Sequence, residues 1–234
     1  MEFTKLNAPS LKELFIQQLE TMILSGKLAI GEKLPPEREL AESMQVSRAV
    51  VNAGITELAR KGFLMIKPRV GTFVADYRIN GTLETLISIM NYNGGILREA
   101  EIRSILELRI ALDTLAVELS VPRITDDEIA VLKEYVKQLE ETDSPELASE
   151  LSFRFQHELA ILSGNTLMPL IFSSFKVPIL SLWERFCRLY GLDSLKENTI
   201  ELMGYIENRD VEKAVVCLTN DIKDTISGDR QIYY

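Results

Sequence analysis

Arg48 and Asn52 stand four residues apart, a spacing that sets two base-reading side chains on one face of a helix. Arginine can bond bidentately to guanine and asparagine to adenine in the DNA major groove. At about 100° per residue, Arg48, Ala49, Asn52 and Thr56 gather on one side. Val50, Val51, Gly54 and Leu58 gather on the other, with Ile55 on the flank. A recognition helix needs this division, one side resting on its own domain and the other entering the groove. An ordinary amphipathic helix with a solvated polar face has the same pattern, so the helix alone leaves both readings open. Ser47, an N-cap candidate, and the helix N-terminus behind it suit a phosphate.

Charge supports the DNA reading once it is counted by region. The 234-residue chain carries a net charge of −9, yet residues 1–76 hold 10 Lys+Arg against 9 Asp+Glu. Residues 77–234 hold 16 against 26, so the acidity belongs to the second part. Between Ser47 and Arg69, the cations Arg48, Arg60, Lys61, Lys67 and Arg69 face Glu57 alone. A phosphate backbone samples charge locally, within a Debye length.

The elements that must position these residues follow from the spacing of apolar residues. Ser10 opens a helix carrying Leu11, Leu14, Phe15, Leu19, Met22 and Ile23, which Gly26 closes. Pro35-Pro36 leads into a short helix through Met44, and a third helix runs from the Ser47 cap to about Arg60. The period then changes. Phe63–Ile66 and Thr72–Val74 are β-prone runs flanking Lys67-Pro68-Arg69-Val70-Gly71, which predicts a basic-tipped hairpin. Three helices and a hairpin outline a winged helix-turn-helix domain over residues 1–76. Residues 77–80 are expected to form a linker, and residues 81–234 an all-helical bundle able to enclose a cavity. Its helices are expected at 81–92, 98–120, 125–141, 145–163, 167–190, 193–208 and 210–227, with breaks at Gly94-Gly95, Pro122, Asp143-Ser144-Pro145, Gly164-Asn165, Gly191 and Asn208. The predicted class is mainly α.

The run from Lys27 to Ala75 closely resembles the DNA-binding domain of the GntR family of regulators. Gly31, Leu34, Pro35, Glu37, Arg38, Leu40, Ala41, Val46, Ser47, Arg48, Leu58, Gly62, Gly71, Thr72, Phe73 and Val74 match its pattern in order. The resemblance implies that Arg38, Ser47 and Arg48 contact double-stranded operator DNA, and that the wing tip around Arg69 and Gly71 reaches the minor groove. The family commonly has Arg-Glu-Ala where this chain has Asn52-Ala53-Gly54, so operator preference is expected to differ at Asn52. Gly54 either costs about 1 kcal/mol relative to alanine or permits unusually close packing.

The remainder resembles the effector domain of the FadR branch, called FCD. The likeness rests on Glu107–Glu118, on Phe153–Asn165 and on Asp210–Ala214. Many members hold a divalent metal with one Asp and three His. Here the corresponding positions carry Ser152, Gln156, Thr199 (or Asn198) and Asp221 (or Asn220), and the chain's one histidine, His157, falls a residue away. Serine and glutamine are poor ligands for such metals, so neither a metal nor a cofactor is expected. His157 is read as a surface or helix-packing residue. The cavity then either binds an organic effector, a small acidic metabolite such as an acyl-CoA or organic acid, or is vestigial. Arg109 is the best anchor for such an acid, unless it pairs internally with Asp113 at i+4. Ser152, Gln156, Thr199 and Asp221 would add polar contacts, and Trp183 and Tyr190 read as core or dimer-interface aromatics.

These readings make the chain a homodimeric regulator and not an enzyme. It has no Ser-His-Asp arrangement, Gly-rich phosphate loop or carboxylate-histidine iron motif. A protein-docking role for the winged helix competes, and the basic wing argues against it. No run has the length of a membrane span, the N-terminal stretch lacks a signal-peptide core, and Cys187 and Cys217 read as buried thiols. A cytoplasmic protein is expected.

Overall fold

The structure, a computed structural model, describes residues 9–92 and 99–233. The chain divides into two compact units, residues 1–94 and 95–234.

In the first unit, helix α1 (Leu11–Leu24) starts at a capping box in which Ser10 and Glu13 satisfy each other's backbone N–H groups. Helix α2 (Glu37–Ser43) follows Pro36, and α3 (Arg48–Arg60) starts at Ser47, whose hydroxyl accepts from the Val50 N–H at 3.3 Å. Such a cap stabilises a helix by about 1 kcal/mol. Phe15 and Leu19 of α1 pack on Val51, Ile55 and Leu58 of α3, with Phe63 and Val74 closing the same core. Gly54 lies in this contact, and a Cβ there would overlap the Phe15 ring. Of the two readings of Gly54, close packing is the one the structure supports.

Strands β1 (Leu64–Lys67) and β2 (Gly71–Val74) form the expected antiparallel hairpin, with Leu64 opposite Val74 and Lys67 opposite Gly71. The segment before α2 pairs with the free edge of β2. Gly31 N–H donates to Val74 O and Leu34 N–H to Thr72 O, each at 2.9 Å. This pairing brings Lys33 to the wing.

Two boundaries differ from expectation. Residues 77–80 form a helical turn, α4 (Tyr77–Asn80), capped by Asp76, where a linker was predicted. Helix α5 (Leu83–Asn91), expected in the helical bundle, belongs to the first unit. Side chains explain why: Thr85 donates its hydroxyl to the Lys61 carbonyl, and Arg60 donates to both Glu84 carboxylate oxygens at 2.6 and 2.5 Å. Lys61 and Ser88 share Glu20 at 2.9 and 3.0 Å. The first unit therefore extends about one helix beyond residue 76. The Gly94-Gly95 break lies outside the described residues.

The second unit has helices and no strand among its described residues. It consists of α6 (Glu99–Ser120), α7 (Asp126–Glu141), α8 (Pro145–Leu162), α9 (Met168–Ser174), α10 (Lys176–Tyr190), α11 (Leu192–Glu207) and α12 (Val211–Ser227), with a 3-10 turn at Val121–Arg123. The helix expected over 167–190 is two helices. Pro178 has no N–H to offer the Ser174 carbonyl, and the helix breaks at Phe175. Helix α6 packs on α8 and α12, and α8 on α7 and α10. Ile102, Val117, Leu132, Leu139, Phe155, Leu159 and Ile206 are buried among them.

Candidate functional site

Helix α3 divides as its sequence predicts. Val51, Gly54, Ile55 and Leu58 are buried, whereas Arg48, Ala49, Asn52 and Thr56 are exposed. The turn before it is tight. Gln45 sits at φ 53° and Val46 N–H donates to Ala41 O at 3.0 Å, which brings the α2 C-terminus against the α3 N-terminus. As a result Arg38, Ala41, Glu42, Gln45, Val46 and Arg48 line one shallow groove. Arg48 makes no hydrogen bond or ion pair among the described residues. Arg38 Nε lies 2.9 Å from Glu42, but the two side chains are 78% and 66% exposed. Such a pair is worth little and would yield readily to a phosphate. Asn52 Nδ2 reaches Glu37 Oε1 at a long 3.4 Å.

At the wing tip, Val70 N–H donates to Lys67 O at 3.0 Å across Pro68 and Arg69. Proline followed by a residue of positive φ, 63° at Arg69, is the pattern of a type II turn, whose second corner favours glycine. A long cation thus occupies a position that costs a non-glycine residue about 1–3 kcal/mol, and it is exposed there. Arg69→Gly is therefore expected to raise thermal stability while weakening DNA binding, which melting and anisotropy titrations on one preparation would check. Gly71 has φ 137°, and a Cβ on it would come within 2.6 Å of the Lys33 side chain. The ammonium groups of Lys33 and Lys67 lie 5.9 and 4.8 Å from the centre of the Phe73 ring. Lys33 is a wing cation that the sequence reading missed, because the pairing that carries it to β2 has no local signature.

The second unit contains a cavity of about 60 Å³. Arg109, Gln156, Thr199 and Asp221 line it with Trp183, Asn198 and a majority of apolar side chains. Ser152 does not. It is buried at 1% exposure away from the lining, its hydroxyl without a hydrogen-bond partner among the described residues. The expected polar set is thus corrected at one member. Arg109 Nη2 donates to Asp113 at 2.9 Å and to Gln156 at 2.7 Å, and its guanidinium lies 4.7 Å from the Trp183 ring centre. The internal pair with Asp113 is formed, yet Arg109 Nε is buried with no partner among the described residues. Trp183 is a cavity wall rather than simple core.

A divalent cation does not fit this donor set. The Gln156 carbonyl oxygen is committed to Arg109, whose positive charge faces the same space, and Ser152 stands aside. His157 stacks on Phe153 and hydrogen-bonds the Pro169 carbonyl and the Ser173 hydroxyl, each at 3.1 Å, so it ties α8 to α9.

Burial pushes the Asp221 carboxyl up to about 6; Arg230 opposes this, while Glu201 and Asp224 add to it. Because the folded value exceeds the ordinary 3.8, the protonated form stabilises the fold below 3.8, and that contribution is lost as pH rises through about 6. Asp221→Asn is expected to flatten the decline in melting temperature across that window. Burial also pushes the thiols of Cys187 and Cys217 up to about 11 and about 12, which leaves both unreactive.

Comparison with known proteins assigns a family to each of the two units. Residues 11–74 match the family model of bacterial regulatory proteins of the gntR family, and residues 104–224 match the FCD domain. The chain belongs to the GntR family, with an FCD domain. The fatty acid metabolism regulator of Shewanella sp. (strain MR-7) is 31% identical over 196 residues, covering 82% of this chain and 76% of that one. The transcriptional regulator Mce2R of Mycobacterium tuberculosis is 27% identical over 167 residues, 71% of this chain and 69% of its own. The structure of Lar, which controls expression of the Listeria monocytogenes agr system, superposes with a TM-score of 0.63 at 15% identity, over 94% of this chain and 96% of that one. At that identity the likeness speaks for the fold. The GntR-family chain is thus a DNA-binding transcriptional regulator of the FadR type, and no helix among its described residues is long and apolar enough to cross a membrane.

Proposed function

We propose that this regulator binds a pseudo-palindromic operator as a cytoplasmic homodimer, and that a small organic acid in the FCD cavity sets its affinity for DNA. Arg48 and Asn52 would read the major groove, Ser47 would meet a phosphate and Arg38 a phosphate or a base edge, with Arg69 and Gly71 at the minor groove. The observation that carries the DNA contacts is the shallow groove in which Arg48 has no partner among the described residues and Arg38 is weakly paired. Leu108, Leu115 and Leu119 supply a candidate dimer face, since they lie exposed along one side of α6 at 42%, 38% and 39%.

The orphaned Arg109 Nε supports an acidic effector, because an N–H donor buried without a partner costs stability that an incoming carboxylate would restore. The Shewanella relative's association with fatty acid metabolism fits a carboxylate effector as well. The cavity size favours a small acid over an acyl-CoA, and it also keeps alive a vestigial, ligand-free dimeriser as the second reading.

Operator fragments selected from random duplex DNA would be titrated at increasing salt, and the purified protein weighed by native mass spectrometry. A steep linear loss of log affinity with log salt is expected, since phosphate contacts release counterions. A dimer mass carrying a small acid is expected alongside it. Salt-insensitive binding would remove the DNA-contact assignment, and a ligand-free dimer would favour the vestigial reading.

A further inference from the structure

The cavity is small because a piece of the chain fills it. After α12, Ile232 turns back into the bundle, is 2% exposed and lines the cavity beside Arg109 and Trp183. Polar groups hold the segment through its carbonyls, and the Ile232 N–H donates to Thr225 O at 3.3 Å. Arg185 Nε donates to Ile232 O at 2.8 Å, and a second Arg185 nitrogen donates to Tyr233 O. The Tyr190 hydroxyl donates to Gln231 O at 2.6 Å. Just upstream, Arg230 is fastened to the bundle by Asp224 at 2.5 Å, Asp221 at 3.7 Å and Asn198 at 3.4 Å. The firm anchor is therefore Arg230, and the segment Gln231–Tyr233 can leave without uncovering the acids on α12.

We propose that Ile232 is an internal stand-in for the effector, and that the ligand is a short branched aliphatic carboxylate that displaces Gln231–Tyr233. This rests on the reading of the cavity as an effector site. The stand-in itself defines the chemistry: a branched aliphatic side chain in an apolar chamber, with its own carbonyl oxygen on a guanidinium. A free acid of that shape offers the same apolar body, and its carboxylate takes the Arg185 hydrogen bonds as charge-assisted ones, roughly twice as strong as those to a neutral carbonyl. Arg109, which lines the cavity and whose Nε has no hydrogen-bond partner among the described residues, gives such a ligand a second donor. The segment is also imperfectly satisfied where it sits, because the Tyr233 hydroxyl is buried with no hydrogen-bond partner among the described residues. Displacement relieves that cost.

The probe is 3-methylpentanoate, with the neutral 3-methylpentan-1-ol as control, added to the full chain. Trp183 is the chain's one tryptophan and lines the cavity, so its fluorescence and acrylamide quenching report occupancy and access. A protein whose competent state is masked binds more weakly in proportion to the unmasked fraction. Ile232→Ala is therefore expected to bind the acid about tenfold or more tighter than the wild type, with stronger quenching of Trp183. Tyr190→Phe, which loosens the segment without opening the core, should shift both readings the same way by a smaller factor. It keeps the test intact if Ile232→Ala folds poorly. Equal affinity of the wild type and both variants for the acid overturns the displacement while leaving the effector reading standing. The alcohol binding as tightly as the acid overturns the carboxylate assignment. No binding of the acid by any variant, with Trp183 opened to acrylamide, overturns the proposal; a larger acid found on the purified protein would then preserve the effector reading alone.

Discussion

Replacing Arg48 with alanine is expected to weaken operator binding about 5- to 150-fold, equivalent to ~1–3 kcal/mol, and to relax base preference at the position it reads. The size follows from what the side chain does in the free protein. It spends no hydrogen bond or ion pair on the fold among the described residues, so binding DNA requires no internal contact to break. Stability should accordingly stay within about 0.5 kcal/mol of the wild type, as for surface changes away from special features. Adding Arg38→Ala should weaken binding further. Its loss should reduce the salt slope if Arg38 meets a phosphate, and leave the slope unchanged if it meets a base edge. Anisotropy titrations at two salt concentrations separate these outcomes. Unchanged affinity in the double variant would remove α2 and α3 from the DNA interface.

Arg109→Met is expected to destabilise the helical unit by about 3–5 kcal/mol, the cost of leaving half of a buried ion pair alone. The Arg109 and Asp113 side chains are 6% and 2% exposed, and desolvation already raises the Asp113 carboxyl against the pull of Arg109. Without the guanidinium that carboxyl rises further. A folded-state value above the unfolded one gives stability that is present in acid and lost as pH rises, so the defect should shrink as the solution is acidified. Arg109→Met with Asp113→Leu should recover most of the loss, because an apolar pair of similar volume carries no desolvation penalty. Urea melts at two pH values check this. A single Arg109→Met as stable as the wild type would show that the pair contributes nothing.

The two predictions rest on opposite kinds of residue. Arg48 is available because it lacks an internal partner among the described residues, whereas Arg109 is constrained by Asp113, Gln156 and Trp183. Both stand out in the sequence as arginines within recognisable runs. Their different situations become visible in the fold, which sets burial and partners.

Local periodicity and cap chemistry determined much about this protein from sequence alone. The two faces of α3, the Ser47 cap, the basic hairpin and most helices of the FCD domain follow from interactions reaching three or four residues along the chain. The broken helix at Phe175 was legible in principle, through Pro178, but a long apolar run masked it. Contacts between distant residues were decided by the tertiary structure. Lys33 reaches the wing through pairing some forty residues along the chain, and α5 joins the first unit through Glu20, Arg60 and Lys61. Ser152 falls outside the cavity although its helix position suggested otherwise, and Ile232 falls inside it although no motif marked it. Pattern along a chain records which side of a helix prefers water. It does not record which partner waits on that side, because partners are chosen by packing among elements brought together only when the whole unit folds.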